Sequence, residues 1–231
     1  MKLSVIIPAY NEAPRISKLV SYLFANGKNS PMEIIVADGG STDNTTALAR
    51  AAGATTVLSP IKGRAAQMNF GAQQASGELL YFVHADTFPP CSFRTDIETA
   101  VKDGYNLGRY LSSYESNSRL LKLNAFLSRL DVFGGMGGDQ TLFITRDLFQ
   151  KAGGFDGSMQ IMEEFEFCAR ARKIGRYKII RKPVLISARK YETNGWLKVQ
   201  RANYTVVRMY LKGASQKSMV EAYKKILNYR N

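Results

Sequence analysis

The 231-residue chain has few of the residues that build redox or closed metal centres: two cysteines and a single histidine. Cys91 and Cys168 lie far apart with no CxxC spacing, which argues against a disulfide framework or a zinc site. That usage suits a reducing cytosol. Acidic residues are also scarce, 19 against 32 lysines and arginines, leaving a net charge of +13. Such a balance favours an anionic partner: a nucleotide, a phosphorylated lipid, a membrane surface or nucleic acid. The last has no helix-turn-helix, zinc or RNA-stacking signature behind it, so no nucleic-acid partner is expected. Long hydrophobic runs are missing too, none approaching the roughly 18 residues that span a bilayer. The opening "MKLSVIIPAYNE" lacks a small-residue cleavage site and reads as a first strand rather than a signal peptide.

What is present is alternation. Apolar strand candidates at 3–9, 33–38, 55–59 and 78–83 are separated by helical patterns around 13–26, 43–52 and 64–76. This order implies βαβ units and an α/β domain with a mostly parallel sheet. Ser41, Thr42 and Asp43 can each cap the second helix. Beyond Pro90 the pattern loosens. A helix is expected over 115–133, with Leu120, Leu123, Leu127 and Leu130 at helical spacing. A flexible "GGMGGDQ" turn, a strand over 141–145 and a helix over 159–175 follow, and two helices split near 212–215 end the chain. No repeat, low-complexity tract or linker interrupts it. The expected organisation is one catalytic domain over 1–190 with a basic helical extension, 191–231, packed on it.

Polar clusters fall where strands end, a common place for chemistry in open α/β sheets. Pro8 has no amide for a ladder, so the first strand should stop or bend there, leaving Tyr10, Asn11 and Glu12 within reach of a ligand. Asp38 ends the second strand before Gly39 and Gly40, placed to accept hydrogen bonds from a base or ribose. Lys62 and Arg64 precede a helix whose N-terminus, with two cations, suits a diphosphate. In "HADT", Asp86 offers one hard oxygen ligand, enough for a divalent metal if a diphosphate supplies the rest. His84 reads as a second ligand, a phosphate contact or a strand-end residue held by packing. In "IMEEFEF", Glu163, Glu164 and Glu166 open a helix among apolar neighbours. A carboxylate near apolar surface is suited to act as a general base.

In this order and rough spacing, "SVIIPAYNE", "IIVADGGSTDNT", "GRAAQMNFGAQQASGELLYFVHADT", "GGF" and "IMEEFEFCARAR" resemble a family 2 glycosyltransferase with the GT-A fold. The match covers residues 1 to 190 and is similar to a bacterial subgroup carrying "HADT". The resemblance implies a nucleotide-diphosphate sugar donor held by Pro8, Tyr10, Asn11, Glu12, Asp38, Lys62, Arg64, His84, Ala85 and Asp86. Asp86 would bind Mg²⁺ or Mn²⁺, with His84 standing where the family's first Asp is usual. The family's Glu-Asp pair falls on Glu163 and Glu164, which makes Glu164 the expected base, with Glu163 or Asp139 as alternatives. It also implies an inverting transfer to an acceptor hydroxyl, a lipid-linked one among the candidates. The basic-aromatic motif that follows the base in the family has only a loose echo in "ARKYE" at 188–192.

From Lys190 onward, nine basic residues stand against two acidic ones, with Trp196, Tyr204, Tyr210 and Tyr223 among them. Such helices either lie on an anionic membrane surface or pack on the catalytic domain with a solvated basic face. The expected location is the cytoplasm, with the inner face of the membrane as an extension of it. Two competing readings remain: a degenerate, non-catalytic domain that binds anionic membranes, and a sugar nucleotidyltransferase, against which the first strand lacks a Gly-rich, basic phosphate loop.

Overall fold

The computed structural model describes residues 1–27, 31–129 and 141–227. Its centre is an eight-stranded sheet in the order β3-β2-β1-β4-β7-β6-β8-β5. β1 (Leu3–Ala9), β2 (Met32–Asp38), β3 (Thr55–Leu58) and β4 (Leu79–Phe82) are parallel, as the alternation with helices predicts. The other half is mixed. β7 (Leu142–Thr145) runs antiparallel to both β4 and β6 (Leu107–Tyr114), β6 pairs parallel with β8 (Tyr177–Ile186), and the short β5 (Thr87–Phe88) is antiparallel to β8. The sheet is therefore less uniformly parallel than expected.

Side chains alternate across the sheet and sort into two cores. Leu3, Val5 and Ile7 of β1 face one side, where Ile16, Leu19 and Leu23 of α1 (Ala13–Asn26) and Phe93 and Ile97 of α4 (Phe93–Lys102) cover them. Ile6 faces the other side with Leu80 and Phe82, under Ala65 and Met68 of α3 (Arg64–Gln74) and Phe167 of α7 (Glu163–Ala171). Phe149 of α6 (Arg146–Lys151) and Phe155 complete that layer, with ring centroids of Phe155 and Phe167 4.5 Å apart.

Pro8 does not end β1. The strand runs on to Ala9, with Pro8 opposite Ala37 of β2. The pairing to β4 has already stopped at Ile6 and Phe82, so Pro8 sits where the strand has one neighbour and the missing amide costs nothing. α2 (Thr45–Ala51) starts later than the sequence suggests, because Ser41 and Thr42 are spent elsewhere and Asp43 accepts from the Thr45 amide at 3.0 Å. The helix expected over 115–133 is α5 (Arg119–Leu127). Leu121 is its buried leucine, while Leu120, Leu123 and Leu127 are exposed. The "GGMGGDQ" turn and Leu130 lie outside the described residues.

After β8 the short α8 (Arg189–Asn194) leads into α9 (Trp196–Leu211) and α10 (Gln216–Ile226). A third apolar cluster joins them to the rest: Leu121 with Ala188, Tyr191, Val199, Ala202 and Leu227. Asn124 of α5 ties into it, donating to the Tyr191 hydroxyl and accepting from the Trp196 indole, both at 3.2 Å.

Candidate active site

The C-terminal ends of β1 and β2 carry two loops that hold each other. Asp38, buried at the end of β2, accepts hydrogen bonds from the Gly40 and Ser41 amides at 2.9 Å each and from the Ser41 hydroxyl. Gly40, at φ 88, adopts the left-handed turn this requires. Asn11, also left-handed at φ 54, accepts from the Thr42 amide at 2.9 Å, while its own amide donates to the Ser41 hydroxyl at 2.9 Å. The Glu12 backbone N–H donates to the Thr45 hydroxyl at 2.8 Å. Beneath them the buried Gln67 side-chain amide bridges the carbonyls of Ala9 and Ala37, 2.8 Å from each. A cavity of about 330 Å³ opens beside this loop, lined by Asp38, Gly40, Ser41, Arg50, Val57 and Leu58. Tyr10 and Lys62 are exposed nearby, Lys62 close to where a side chain on Gly40 would stand.

The end of β4 supplies the second group. Val83 and Ala85 are buried, so Ala85 contributes packing and no polar contact from its side chain. His84 and Asp86 point differently. His84 donates through Nε2 to Glu164 Oε1 at 2.8 Å, and its Nδ1 lies 3.4 Å from Arg64 Nη1. Burial lowers the imidazole pKa, but the Glu164 charge and hydrogen bond outweigh it against the opposing Arg64, and the net shift is upward. His84 is thus tied through Nε2 to Glu164, with the Arg64 guanidinium beside its other ring nitrogen. Arg64 also pairs with Glu163, Nε to Oε1 at 3.0 Å. The four residues thus form one run, Glu163–Arg64–His84–Glu164.

Both glutamates are buried, at 2% and 6% exposure, in the first turn of α7, where the helix dipole favours negative charge. Met162 just before them is left-handed at φ 67, a strained conformation for a side-chain-bearing residue. The Gln216 side chain of α10 holds that segment, its Oε1 accepting from the amides of Gln160 and Ile161 at 3.0 and 3.2 Å. Phe165 packs edge-on against Tyr210 of α9, centroids 5.4 Å apart. Glu164 Oε2 is buried with no hydrogen-bond partner among the described residues. Glu166 turns away to Arg170. Asp139 lies outside the described residues.

Asp86 meets a residue that sequence reasoning left without a role. Arg189, in the first turn of α8, sits 3.3 Å from Asp86 Oδ2 and grips Glu12 with both terminal guanidinium nitrogens, Nη1 at 3.0 Å. The Glu12 hydrogen bond is the largest influence raising the Arg189 pKa. Only "ARKYE" signalled it in the sequence. The other Asp86 oxygen has a long 3.5 Å contact with the Thr87 hydroxyl. Asp86 therefore offers a hard carboxylate oxygen of the kind Mg²⁺ or Mn²⁺ takes when phosphates and water supply the other ligands. Among the described residues no group of three acidic, histidine or cysteine side chains could hold a metal by itself.

Comparison with known proteins agrees with this architecture. The undecaprenyl-phosphate 4-deoxy-4-formamido-L-arabinose transferase of Yersinia enterocolitica is 28% identical over 130 residues, 52% of this chain and 40% of that protein. The chain spans between 31% and 40% of the length of the curated relatives it matches. The mannosyltransferase PcManGT of Pyrobaculum calidifontis, solved with GDP-Man and Mn²⁺, has TM-score 0.70 at 19% identity, covering 97% of this chain and 69% of that one. TarS 1-349 of S. aureus, solved with UDP-GlcNAc, has TM-score 0.66 at 20% identity, covering 81% and 58%. These two likenesses bear on the fold, which is GT-A. The sequence profile of glycosyl transferase family 2 matches residues 4–152, and the chain belongs to that family.

Proposed function

We propose that the chain transfers a sugar from a nucleoside-diphosphate donor to an acceptor hydroxyl, with inversion at the anomeric carbon. One observation carries the reading: Asp38 and Asp86 stand at or just after the C-terminal ends of the interior strands β2 and β4, and Arg64 and Glu164, at the starts of α3 and α7, are joined through His84 beside Asp86. The cavity beside Asp38 is at the lower end of the size range of small-molecule sites and suits a base with its ribose. Lys62 and Arg64, at the start of α3, would face the diphosphate, whose growing charge in the transition state they stabilise. Asp86 would hold Mg²⁺ or Mn²⁺, which when bound neutralises charge on the leaving diphosphate. The solved neighbours that carry GDP-Man with Mn²⁺ and UDP-GlcNAc support a donor of this class.

The acceptor oxygen would attack the anomeric carbon from the face opposite the diphosphate. A C–O bond forms, the bond to the β-phosphate oxygen breaks, and its electron pair leaves with the nucleotide. Glu164 takes the acceptor proton on Oε2, while His84 holds Oε1 and fixes the carboxylate. Glu163, tied to Arg64, orients that arginine. The relative named for undecaprenyl phosphate supports a lipid-linked acceptor.

Calorimetric titration with UDP and with GDP, each with and without Mn²⁺, tests this beside Asp86→Ala. Metal-dependent binding of one nucleotide, lost in the variant, is expected. The reading fails if no nucleoside diphosphate binds at any metal concentration, and the chain is then a degenerate domain of the same fold.

A further inference from the structure

α9 buries one face and leaves the opposite one unlike an ordinary solvated surface. Val199, Ala202 and Val206 pack inward. On the far side Leu197, Arg201, Tyr204, Arg208 and Leu211 follow each other at alternating spacings of four and three, which places them on one stripe. All five are exposed, Leu197 at 77%, Tyr204 at 67% and Leu211 at 64%. The helix contains no Asp or Glu. We propose that this stripe docks on an anionic lipid bilayer.

The residue pattern selects that occupant. A second helix packing here would want two apolar positions per heptad, and the stripe offers one. Its arginines stand a turn from each apolar side chain, where their stems cover apolar surface while the guanidinium groups reach outward to lipid phosphates. Large apolar side chains alternating with cations, on a helix of low overall hydrophobicity, are the marks of an interfacial helix. Charge extends beyond the stripe: Lys212, Lys217, Lys224 and Lys225 are exposed on the same helix pair. None of these four, nor Arg201 or Arg208, forms a salt bridge with a described residue. No helix among the described residues is long and apolar enough to cross a membrane, so the contact is one of lying on the surface. The docking is independent of the donor chemistry proposed above.

Co-sedimentation of the full chain with vesicles of phosphatidylcholine, and with vesicles in which phosphatidylglycerol replaces a third of it, tests the assignment. Binding to the anionic vesicles alone, weakened by salt, is expected. Each arginine near such a surface is worth about fivefold in partitioning, so Arg201→Gln with Arg208→Gln should bind about 25-fold more weakly. Leu197→Ser with Leu211→Ser should weaken it as well, while nucleotide binding and circular dichroism stay unchanged in both pairs. A control pair on the other exposed apolar helix face, Leu120→Ser with Leu123→Ser, should bind as the parent does. Undiminished vesicle binding in the α9 variants, loss only in the α5 control, or indifference to phosphatidylglycerol would overturn it. So would binding to a DNA duplex without binding to vesicles.

Discussion

His84 and Glu164, eighty positions apart in the chain, are joined by a 2.8 Å hydrogen bond that locks the end of β4 to the start of α7. The bond ties the residue two positions before Asp86 to the residue proposed as the base. The two positions at which the resemblance leads one to expect aspartates, held here by His84 and Glu164, are thereby joined. A histidine needs a partner that stabilises its charge, and the longer glutamate reaches it.

The pair predicts a pH dependence of stability. His84 titrates above its ordinary 6.5 in the folded chain, so folding favours its protonated form. Its contribution is complete below about pH 6.5 and disappears as the pH climbs through the raised folded value. Urea unfolding across pH 5 to 9, for the parent and His84→Asn, should show a stability gap that narrows above about pH 6.5. A gap that widens with pH would reverse the sign of the linkage.

Glu164→Gln keeps the hydrogen-bonding shape of the side chain but removes the proposed base. Turnover should fall by about 10²–10⁴, the usual contribution of a positioned general base. Nucleotide affinity should stay within twofold, about 0.4 kcal/mol, because the proposed donor site is built from other residues. A loss of affinity equal to the loss of turnover would place Glu164 in the donor site instead.

Arg189→Ala removes a cation from Asp86 and Glu12. Its side chain is nearly half exposed, so the cost in stability should be within about 1 kcal/mol. Freed of its 3.3 Å neighbour, Asp86 should bind a divalent cation more tightly, and Mn²⁺ titrations in the presence of nucleotide should saturate at lower metal concentration. A shift to higher concentration would show that Arg189 helps to hold the donor rather than shield the carboxylate.

Gln67→Leu leaves the carbonyls of Ala9 and Ala37 without their shared donor in a buried position. The Ala9 carbonyl still accepts from the Gly39 amide at 2.9 Å, so thermal and urea unfolding should register a loss of about 1–3 kcal/mol, the cost of one buried bond left unmade. Gly39, whose added Cβ would stand 3.0 Å from the same amide, should tolerate alanine poorly for the same reason.

β1, β2 and β4 were legible because each is a run of mostly buried apolar residues inside the sheet, and β3, the exposed edge strand, was legible from its place in the alternation. β7 was legible as the apolar run at 141–145, whereas β5, β6 and β8 were not. β6 carries Gly108 and a buried Arg109, and β8 alternates isoleucines with lysine and arginine before reaching Pro183. That proline sits at a register shift, where Tyr110 faces Ile180 but Leu111 faces Pro183, and local pattern alone does not reveal such an irregularity. The site residues on β1, β2 and β4 could be placed because strand ends are visible in the chain. Arg189 and Gln216 could not, because their roles depend on how helices after the sheet fold back. The bond between His84 and Glu164 was beyond sequence reasoning too, since each residue alone admits simpler explanations.

The contact from Gln216 to the amides of Gln160 and Ile161 also sets an order of events during synthesis. In a nascent chain the segments proposed to hold a nucleotide are all made before α10 leaves the ribosome. Until that helix arrives, the backbone turn at Met162 lacks this brace, and Glu163 and Glu164 are held only through Arg64 and His84. On the proposed reading, the residues that would meet the donor precede α10 in the chain, so they can be in place before the brace on the segment that carries Glu164.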